Sequence, residues 1–464
     1  MDGRPATSDT IAAIATAPGT GGIGIIRISG PESAALLGKL FTPRNPHSSF
    51  ESHKLYYGTI KDRQGKILDE VLAVYMRAPH TYTREDVVEL HSHGSHLVLQ
   101  SILTEVLSCG ARAAAPGEFT KRAFLAGRID LTRAEAVIDL LQAQTGSGVR
   151  LAVDQLQGAL YDAVASIRHT LVDLLAVVEV AIDFPDDDVE IIDVTSMQSQ
   201  LQEKVIAPLV QLIGYADKGK VIREGVNVVI AGRPNVGKSS LLNGLLRDER
   251  ALVTAIPGTT RDTIEELISV KGIPVHLVDT AGIRSHEDVV EELGIERARR
   301  KLDEADLVLF VLDLDAGVSD LDRELYQTLG DKKRILVLNK LDIAGDKQRT
   351  VIRNEFGTDT LVEISAREGT GLDDLLEALY VEILGEKEGI AEQVSCAPNL
   401  RHRIILEKTL AACEQLRATL DLGAPADLVA VDLQVALDHL GDIVGLTTPE
   451  DVLDALFSRF CIGK

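Results

Sequence analysis

Gly232-Arg-Pro-Asn-Val-Gly-Lys-Ser239 is the stretch that decides the fold. It has the G-x-x-x-x-G-K-S spacing of a phosphate-binding loop. The apolar run Val226–Ala231 precedes it as a strand, and Ser240–Leu246 follows it as a helix. That strand–loop–helix context is what such a loop requires. Its glycines let successive backbone N–H groups wrap phosphate oxygens. Asn235, Val236, Gly237, Lys238, Ser239 and Ser240 are therefore read as nucleotide contacts. Lys238 would reach the β- and γ-phosphates, and the Ser239 hydroxyl would bind Mg²⁺.

Further motifs follow, each at the end of an expected strand. Val275–Asp279 runs into Asp279-Thr280-Ala281-Gly282. Asp279 is placed to hold the Mg²⁺ shell through water, and the Gly282 N–H to sense the γ-phosphate. Ile335–Leu338 runs into Asn339-Lys340-Leu341-Asp342. The Asp342 carboxylate can accept two hydrogen bonds from guanine N1–H and the 2-amino group, a pair that adenine does not offer. Leu361–Ile364 runs into Ser365-Ala366-Arg367, which would close over the base. With Leu307–Leu312 as a further strand, residues 224–384 alternate strand and helix. The pattern implies a Ras-like P-loop GTPase domain, with a mainly parallel sheet and helices on both faces. Between the motifs, Thr254-Ala255-Ile256-Pro257-Gly258-Thr259-Thr260 is either an ordinary polar loop or a switch. In the second reading Thr260 completes the Mg²⁺ shell only when the γ-phosphate is present. A Ras-like enzyme has a water-orienting glutamine after the Asp-x-x-Gly motif. Here Ile283 stands there, so another group must orient the water.

At roughly 150 residues per domain, the 464-residue chain suggests about three domains. Residues 1–118 read as mixed α/β. They contain the runs Ile23–Ile28 and Val87–Leu90, a hairpin of Leu55–Ile60 and Ile67–Met76, and a helix His96–Leu107. Residues 119–223 and 385–464 read as one discontinuous helical domain into which 224–384 is inserted. Leu151, Leu156, Leu160, Val164, Ile167, Leu171 and Leu174 recur at helical steps, and Phe184–Asp188 breaks the pattern. Leu400–Leu420, Asp427–Val444 and Pro449–Phe460 are expected helices, the last with Thr448 as N-cap and Asp451 reaching back.

The net charge of −23 argues against a generally basic nucleic-acid coat and leaves room for a local basic patch. Cys109, Cys396, Cys413 and Cys461 show no paired spacing, so a zinc knuckle or disulfide framework is not expected and a reduced cytosol fits. Met1–Thr10 lacks the apolar run of a signal peptide. Leu171–Phe184 is too short to span a membrane and carries Asp173 and Glu179. A soluble, cytoplasmic protein is expected.

Three further patterns carry less weight. Gly19-Thr-Gly21-Gly-Ile-Gly24 matches a dinucleotide fingerprint, but a strand-like run follows it instead of a helix. Close ligand approach is the better use of these glycines. His91, His93 and His96 lack an evident fourth metal ligand. Pro116-Gly117-Glu118-Phe119, followed by Lys121 and Arg122, reads as a solvated loop or a basic turn near a substrate.

The strings G-R-P-N-V-G-K-S-S-L-L-N, P-G-T-T-R-D and D-T-A-G-I-R, the N-terminal P-G-T-G-G-I-G-I-I-R-I-S-G and the C-terminal Cys461-Ile-Gly-Lys464 together resemble the bacterial tRNA modification GTPase family MnmE, also called TrmE. The resemblance covers the whole chain. The GTPase strings alone would equally suit Era- or Der-type ribosome-assembly GTPases, and the two terminal motifs make the distinction. A ribosome-assembly enzyme would also call for a basic RNA-binding domain, which this composition does not supply. A purely regulatory switch is a further alternative, against which folate binding would argue.

The resemblance implies a potassium-stimulated GTPase whose G domains dimerise across their switch faces. K⁺ would be held by Asn235 and by atoms of Thr254, Ile256 and Thr259, in place of an arginine finger. A cation there would neutralise developing charge. Lys238 and Asn235 are thus catalytic candidates, together with Glu291 as the water-orienting acid. Glu291 also belongs to a run with Glu287, Asp288 and Glu292 that reads as a solvated face. The N-terminal region resembles the folate-binding part of the glycine-cleavage aminomethyltransferase. It is implied to dimerise and to bind 5-formyl- or methylene-tetrahydrofolate through Arg27, Glu89, Arg128 and Lys464. Glu89 would accept from the pterin, and the arginines suit its carbonyl and the glutamate carboxylates; ordinary surface charges are the alternative. The family works with a flavin-binding MnmG-type partner as a heterotetramer. Together they place a carboxymethylaminomethyl or aminomethyl group at C5 of the wobble uridine of certain tRNAs. Cys461 is either an accessible reactive thiol or a plain cysteine.

Overall fold

The β-branched runs of the N-terminal third pair into one sheet. In chain order its strands are β1 (Ile11–Ile14), β2 (Gly21–Ser29), β3 (Phe41–Pro43), β4 (Lys54–Lys61), β5 (Ile67–Met76), β6 (Val87–Gly94) and β7 (Arg112–Ala113). Their order across the sheet is β3-β4-β5-β6-β2-β1-β7. Only the β1–β7 pair is parallel. The β4–β5 hairpin forms as the alternation predicts, and Asp62 Oδ1 closes its turn by accepting from the N–H groups of Gln64 and Lys66. Helices Ser33–Leu40 and His96–Ser108 cover one face, packing Leu36, Leu37, Ile102 and Val106 against Ile26, Ile28, Val88 and Leu90. The glycines Gly21, Gly22 and Gly24 lie within β2, not at a helix start, which removes the dinucleotide reading. The β2–β6 register sets Arg27 directly opposite Glu89.

The computed structural model describes residues 9–45, 49–184, 192–248, 265–279, 300–344, 346–356, 360–385 and 396–464. By contacts the chain divides into Met1–Ile138 with Gln434–Lys464, and Asp139–Leu433.

Two local readings in the first unit are corrected. The stretch after Pro116 is not a solvated loop but the helix Glu118–Leu125, with Phe119 and Arg122 buried. Arg122 tolerates burial because three carboxylates meet it: Asp9 at 2.8 Å, Glu118 at 3.0 Å and Glu85 at 3.1 Å. A buried cation needs such partners. The last helix begins at Glu450, one residue later than expected, with Pro449 as its cap and no side-chain capping bond. The Thr448 hydroxyl instead donates to the Asp442 carbonyl.

In the second unit the long helix Ala159–Asp183 buries Leu160, Val164, Ile167, Leu171, Leu174 and Val178, the three- and four-residue steps read from the sequence. Helices Gly146–Gln157, Ala207–Glu224 and Leu400–Asp421 continue the helical part. The inserted sheet contains β8 (Val226–Ala231), β9 (Glu265–Val270), β10 (Ile273–Asp279), β11 (Leu307–Asp313), β12 (Arg334–Asn339) and β13 (Thr360–Glu363). Its order is β13-β12-β11-β8-β10-β9. All pairs are parallel except β9 with β10. One face packs on Leu241, Leu245, Leu375 and Leu379 of the helices Lys238–Asp248 and Leu372–Leu384. The other packs on Leu329, Ile352 and Phe356. Every residue of β11 is buried, as expected of a parallel strand covered on both sides. Among the described residues, no helix is long and apolar enough to cross a membrane.

Strand β9 was not anticipated. It is closed onto β10 by the two-residue turn Lys271-Gly272, with φ values of +50° and +88°. Such a turn matches the twist of the strands it joins. The turn is seated: Thr145 Oγ1, the N-cap of helix Gly146–Gln157, donates to the Gly272 carbonyl at 2.7 Å. A β-carbon at position 272 would collide with Ser147 Oγ. Gly272→Ala therefore combines left-handed strain with a clash. We expect a loss of roughly 1–3 kcal/mol, read as a lower thermal midpoint. An unchanged midpoint would show that this contact is not maintained in solution.

Candidate functional site

The phosphate loop leaves β8 and enters helix Lys238–Asp248. Lys238 is buried, and its Nζ donates to the carbonyls of Gly232 and Arg233, each at 2.9 Å. The ammonium thus lies inside the loop's own curve, where a phosphate oxygen would meet it together with the loop N–H groups. Val236 is buried, while Asn235, Ser239 and Ser240 are exposed. Asn235 has φ +65°, an uncommon conformation for a side-chain-bearing residue.

The second half of the loop is fixed from β12. Asn339 is buried at the end of that strand. Its Nδ2 donates to the Val236 carbonyl at 2.8 Å, and its Oδ1 accepts from the Ala366 N–H at 2.9 Å. One amide therefore joins the phosphate loop to the Ser365-Ala366-Arg367 loop. Gly237 has φ +99°, and a β-carbon there would run into Asn339 Nδ2. The glycine is what admits the amide.

Asp342 is exposed, and one of its carboxylate oxygens accepts from Ser365 Oγ at 2.7 Å. That hydroxyl also accepts from the Glu368 N–H at 3.2 Å. The carboxylate is held at the sheet edge, next to the loop that Asn339 anchors. Lys340, at φ +73°, turns its Nζ to Asp313 Oδ2 at 2.6 Å. Asp313 ends β11 and had not been singled out; its place in the strand-end run Val311-Leu312-Asp313 was the available signal. Burial works against ionisation of its carboxyl, but Lys340 and the N–H groups of Ala316 and Asp315 outweigh it and hold the group below its ordinary value.

Asp279 ends β10 on the same sheet. Thr254, Ala255, Ile256, Pro257, Gly258, Thr259, Thr260, Thr280, Ala281, Gly282, Ile283 and Glu291 lie outside the described residues. Of the residues named for Mg²⁺, Ser239 stands in the first turn of the helix beside Lys238; of those named for K⁺, Asn235 is on the exposed crest of the loop.

In the first unit, Arg27 Nε meets Glu89 Oε1 at 2.9 Å, both side chains half-buried. Arg27 Nη1 also donates to the Gly463 carbonyl at 3.4 Å, beside Lys464. The Arg27 and Arg128 guanidiniums lie 6.0 Å and 4.9 Å from the Tyr82 ring, and Arg27 lies 5.8 Å from the Phe119 ring. Of the four residues read from resemblance, Arg27 and Arg128 thus face the Tyr82 ring, Glu89 bonds Arg27, and Lys464 follows the Gly463 that Arg27 reaches; Tyr82 and Phe119 had not been singled out. The donors and acceptors fit a flat heterocycle bearing a carboxylate tail. His91 Nε2 lies 3.3 Å from the other Glu89 oxygen, and His93 bonds Asp69 at 2.8 Å. Among the described residues, no cluster of three or more His, Cys, Asp or Glu side chains is placed to hold a metal. Cys461 is exposed, whereas burial pushes the Cys396 and Cys413 thiols up to about 12.

The Asp313 geometry predicts a pH signature. A carboxyl held below its unfolded value adds stability above that value and loses it as pH falls through the folded one. The stability advantage over Asp313→Asn should stay constant from about pH 7 to pH 5 and shrink below about pH 4, measured by urea unfolding. A gap that widens in acid would reverse the assignment.

Comparison with known proteins adds family membership. A family model described as the MnmE helical domain matches residues 131–461, and one described as the N-terminus of the GTP-binding protein TrmE matches residues 10–128. The tRNA modification GTPase MnmE of Desulfotalea psychrophila is 51% identical over 463 residues, covering 99% of each chain. The protein of that name from Geobacter metallireducens is 45% identical over 457 residues, 98% of this chain and 99% of its own. Among solved structures, an Era crystal structure from Aquifex aeolicus aligns with 40% of this chain and 67% of its own, at 30% identity and a TM-score of 0.29. With one family model spanning most of the sequence and full-length relatives near half identity, the chain belongs to the tRNA modification GTPase MnmE family.

Proposed function

We propose that this member of a tRNA modification GTPase family is a potassium-activated GTP hydrolase that, with a flavin-binding partner, modifies C5 of the wobble uridine of certain tRNAs. The observation that carries the GTPase part is the Asn339 amide, which joins the phosphate loop to the base loop beside Asp342. In this reading Lys238 and the loop N–H groups bind the β- and γ-phosphates, and Asp342 accepts from the guanine edge. Ser239 and Thr260 hold Mg²⁺, with Asp279 acting through water. Glu291 orients the water that attacks the γ-phosphorus as the bond to the GDP oxygen breaks. Asn235, Thr254, Ile256 and Thr259 hold K⁺, which supplies positive charge as negative charge develops on the phosphates. Ile283 contributes nothing polar, which is why a separate acid and a cation are needed.

The Arg27–Glu89 pair, Arg128 and the adjacent C-terminal Lys464 support binding of a formyl- or methylene-tetrahydrofolate as the one-carbon source. The added unit is an aminomethyl or carboxymethylaminomethyl group. We assign residues 1–118 to folate binding and dimerisation, 224–384 to GTP hydrolysis, and 119–223 with 385–464 to a helical domain. The assembly is a homodimer that joins an MnmG-type partner as a heterotetramer in the cytoplasm. Cys461 is exposed in this region and is kept as a possible reactive thiol.

Two measurements test the GTPase part. GTP turnover should be strongly faster in KCl than in NaCl at equal ionic strength, and Asn235→Ala should abolish the difference. Equal rates in both salts would remove the cation from catalysis. Asp342→Asn presents an amide donor where the guanine 2-amino group arrives. It should weaken GTP binding by at least about tenfold, and xanthosine triphosphate, with a carbonyl at that position, should bind the variant better than GTP does. Undiminished GTP preference would place base recognition elsewhere.

A further inference from the structure

Arg233, the second residue of the phosphate loop, does not point into solvent. Its Nε lies 3.2 Å from Asp322 Oδ2 as an ion pair without a hydrogen bond, and its Nη2 donates to the Gly317 carbonyl at 3.4 Å. Asp322 belongs to helix Asp320–Thr328, and its side chain is 0% exposed. It also completes a capping box: Oδ2 accepts from the Ser319 N–H at 2.9 Å and from Ser319 Oγ at 2.7 Å. Among the described residues, its Oδ1 has no hydrogen-bond partner.

The capping bonds occupy only Oδ2 and involve a neutral N–H and a neutral hydroxyl, so they leave the negative charge itself uncompensated. A carboxylate withdrawn from water is costly unless an opposite charge meets it, and the described residue that does so is the phosphate-loop arginine. The loop is thereby tied down on both sides of its crest. Val236 is held from β12 by Asn339, and Arg233 is held by Asp322 and Gly317. Between them lie Pro234, whose ring fixes its own φ, and the exposed Asn235 at φ +65°.

We propose that Asp322 is a positioning residue for the nucleotide site. It holds the Arg233 guanidinium so that the phosphate loop keeps its binding shape before nucleotide arrives. The proposal rests on the reading of this loop as the GTP site. Such preorganisation acts on nucleotide affinity, because a slack loop must be ordered by the ligand itself. The capping bonds and the loop restraint are separable: an asparagine at 322 keeps an oxygen for Ser319 and removes the charge that faces Arg233.

The test is the dissociation constant of a fluorescent GDP analogue in NaCl and Mg²⁺, measured on full-length wild type, Asp322→Asn, Arg233→Gln and the double variant, with thermal midpoints alongside. We expect Asp322→Asn and Arg233→Gln each to weaken binding by about tenfold. The double variant, which leaves no unpaired buried charge, should bind no more weakly than Arg233→Gln alone. Wild-type affinity in Asp322→Asn or in the double variant, or single effects that multiply, would overturn the proposal. A loss confined to the thermal midpoint would reduce Asp322 to a helix cap. Failure of wild type to bind the analogue would instead sink the nucleotide reading.

Discussion

The side-chain amide of Asn339 is the constraint on which the nucleotide site turns. It gives a hydrogen to one loop and takes one from another, so only a group with both a donor and an acceptor fits. An aspartate would lack the donor and a leucine would lack both. The amide reaches the phosphate loop only because position 237 has no β-carbon. It reaches the base loop because β12 and β13 run parallel and end together. Sites of this kind collect at the carboxyl ends of parallel strands, where loops from separate crossovers converge. The next residue, Lys340, leaves in a left-handed conformation that turns its ammonium back to Asp313. Two adjacent residues thus brace three neighbouring segments.

Much of the inserted domain was legible because its chemistry is local. Strands covered on both faces read as apolar runs, and β8, β10, β11 and β12 lie where those runs lie; β13, at the sheet edge and only partly buried, has a shorter one. Their loops carry motifs whose spacing is set by a phosphate or a base. Strand β9 escaped because Glu-Glu-Leu-Ile-Ser-Val opens with two glutamates and gives neither an unbroken apolar run nor a clean alternation. The buried state of Arg122 escaped for a different reason. Its partners Asp9 and Glu85 are 113 and 37 residues away in sequence, so locally it looks like any solvated arginine. Thr448 satisfies the sequence rule for a cap, yet its hydroxyl found a nearer acceptor in the preceding turn.

In the first unit the candidate ligand residues carry little meaning one at a time. Arg27 and Glu89 are separated by 62 positions, and nothing in the spacing links them. The β2–β6 register brings them face to face, and a slip of one residue by either strand would send its member of the pair to the opposite side of the sheet, away from the other. Tyr82 and Phe119 complete the setting from a loop and a helix, which no local pattern announces. The resemblance supplied the residues, and the register is what brings Arg27 and Glu89 together.

The seated tip of the β9–β10 hairpin has a mechanical consequence. Its two strands are locked to one another by an antiparallel ladder and a two-residue turn, so neither can slide along its mate without breaking the pairing. The far end is pinned to a helix N-terminus by the Thr145–Gly272 hydrogen bond. The open end feeds the phosphate-loop side of the domain, where residue 264 precedes β9 and residue 280 follows β10. Because β10 is also paired with β8 over Val275–Asp279, the Thr145–Gly272 hydrogen bond ties the whole sheet, through its last hairpin, to that helix N-terminus. The tie therefore lies about 20 Å along the ribbon from the end at which the phosphate loop leaves β8.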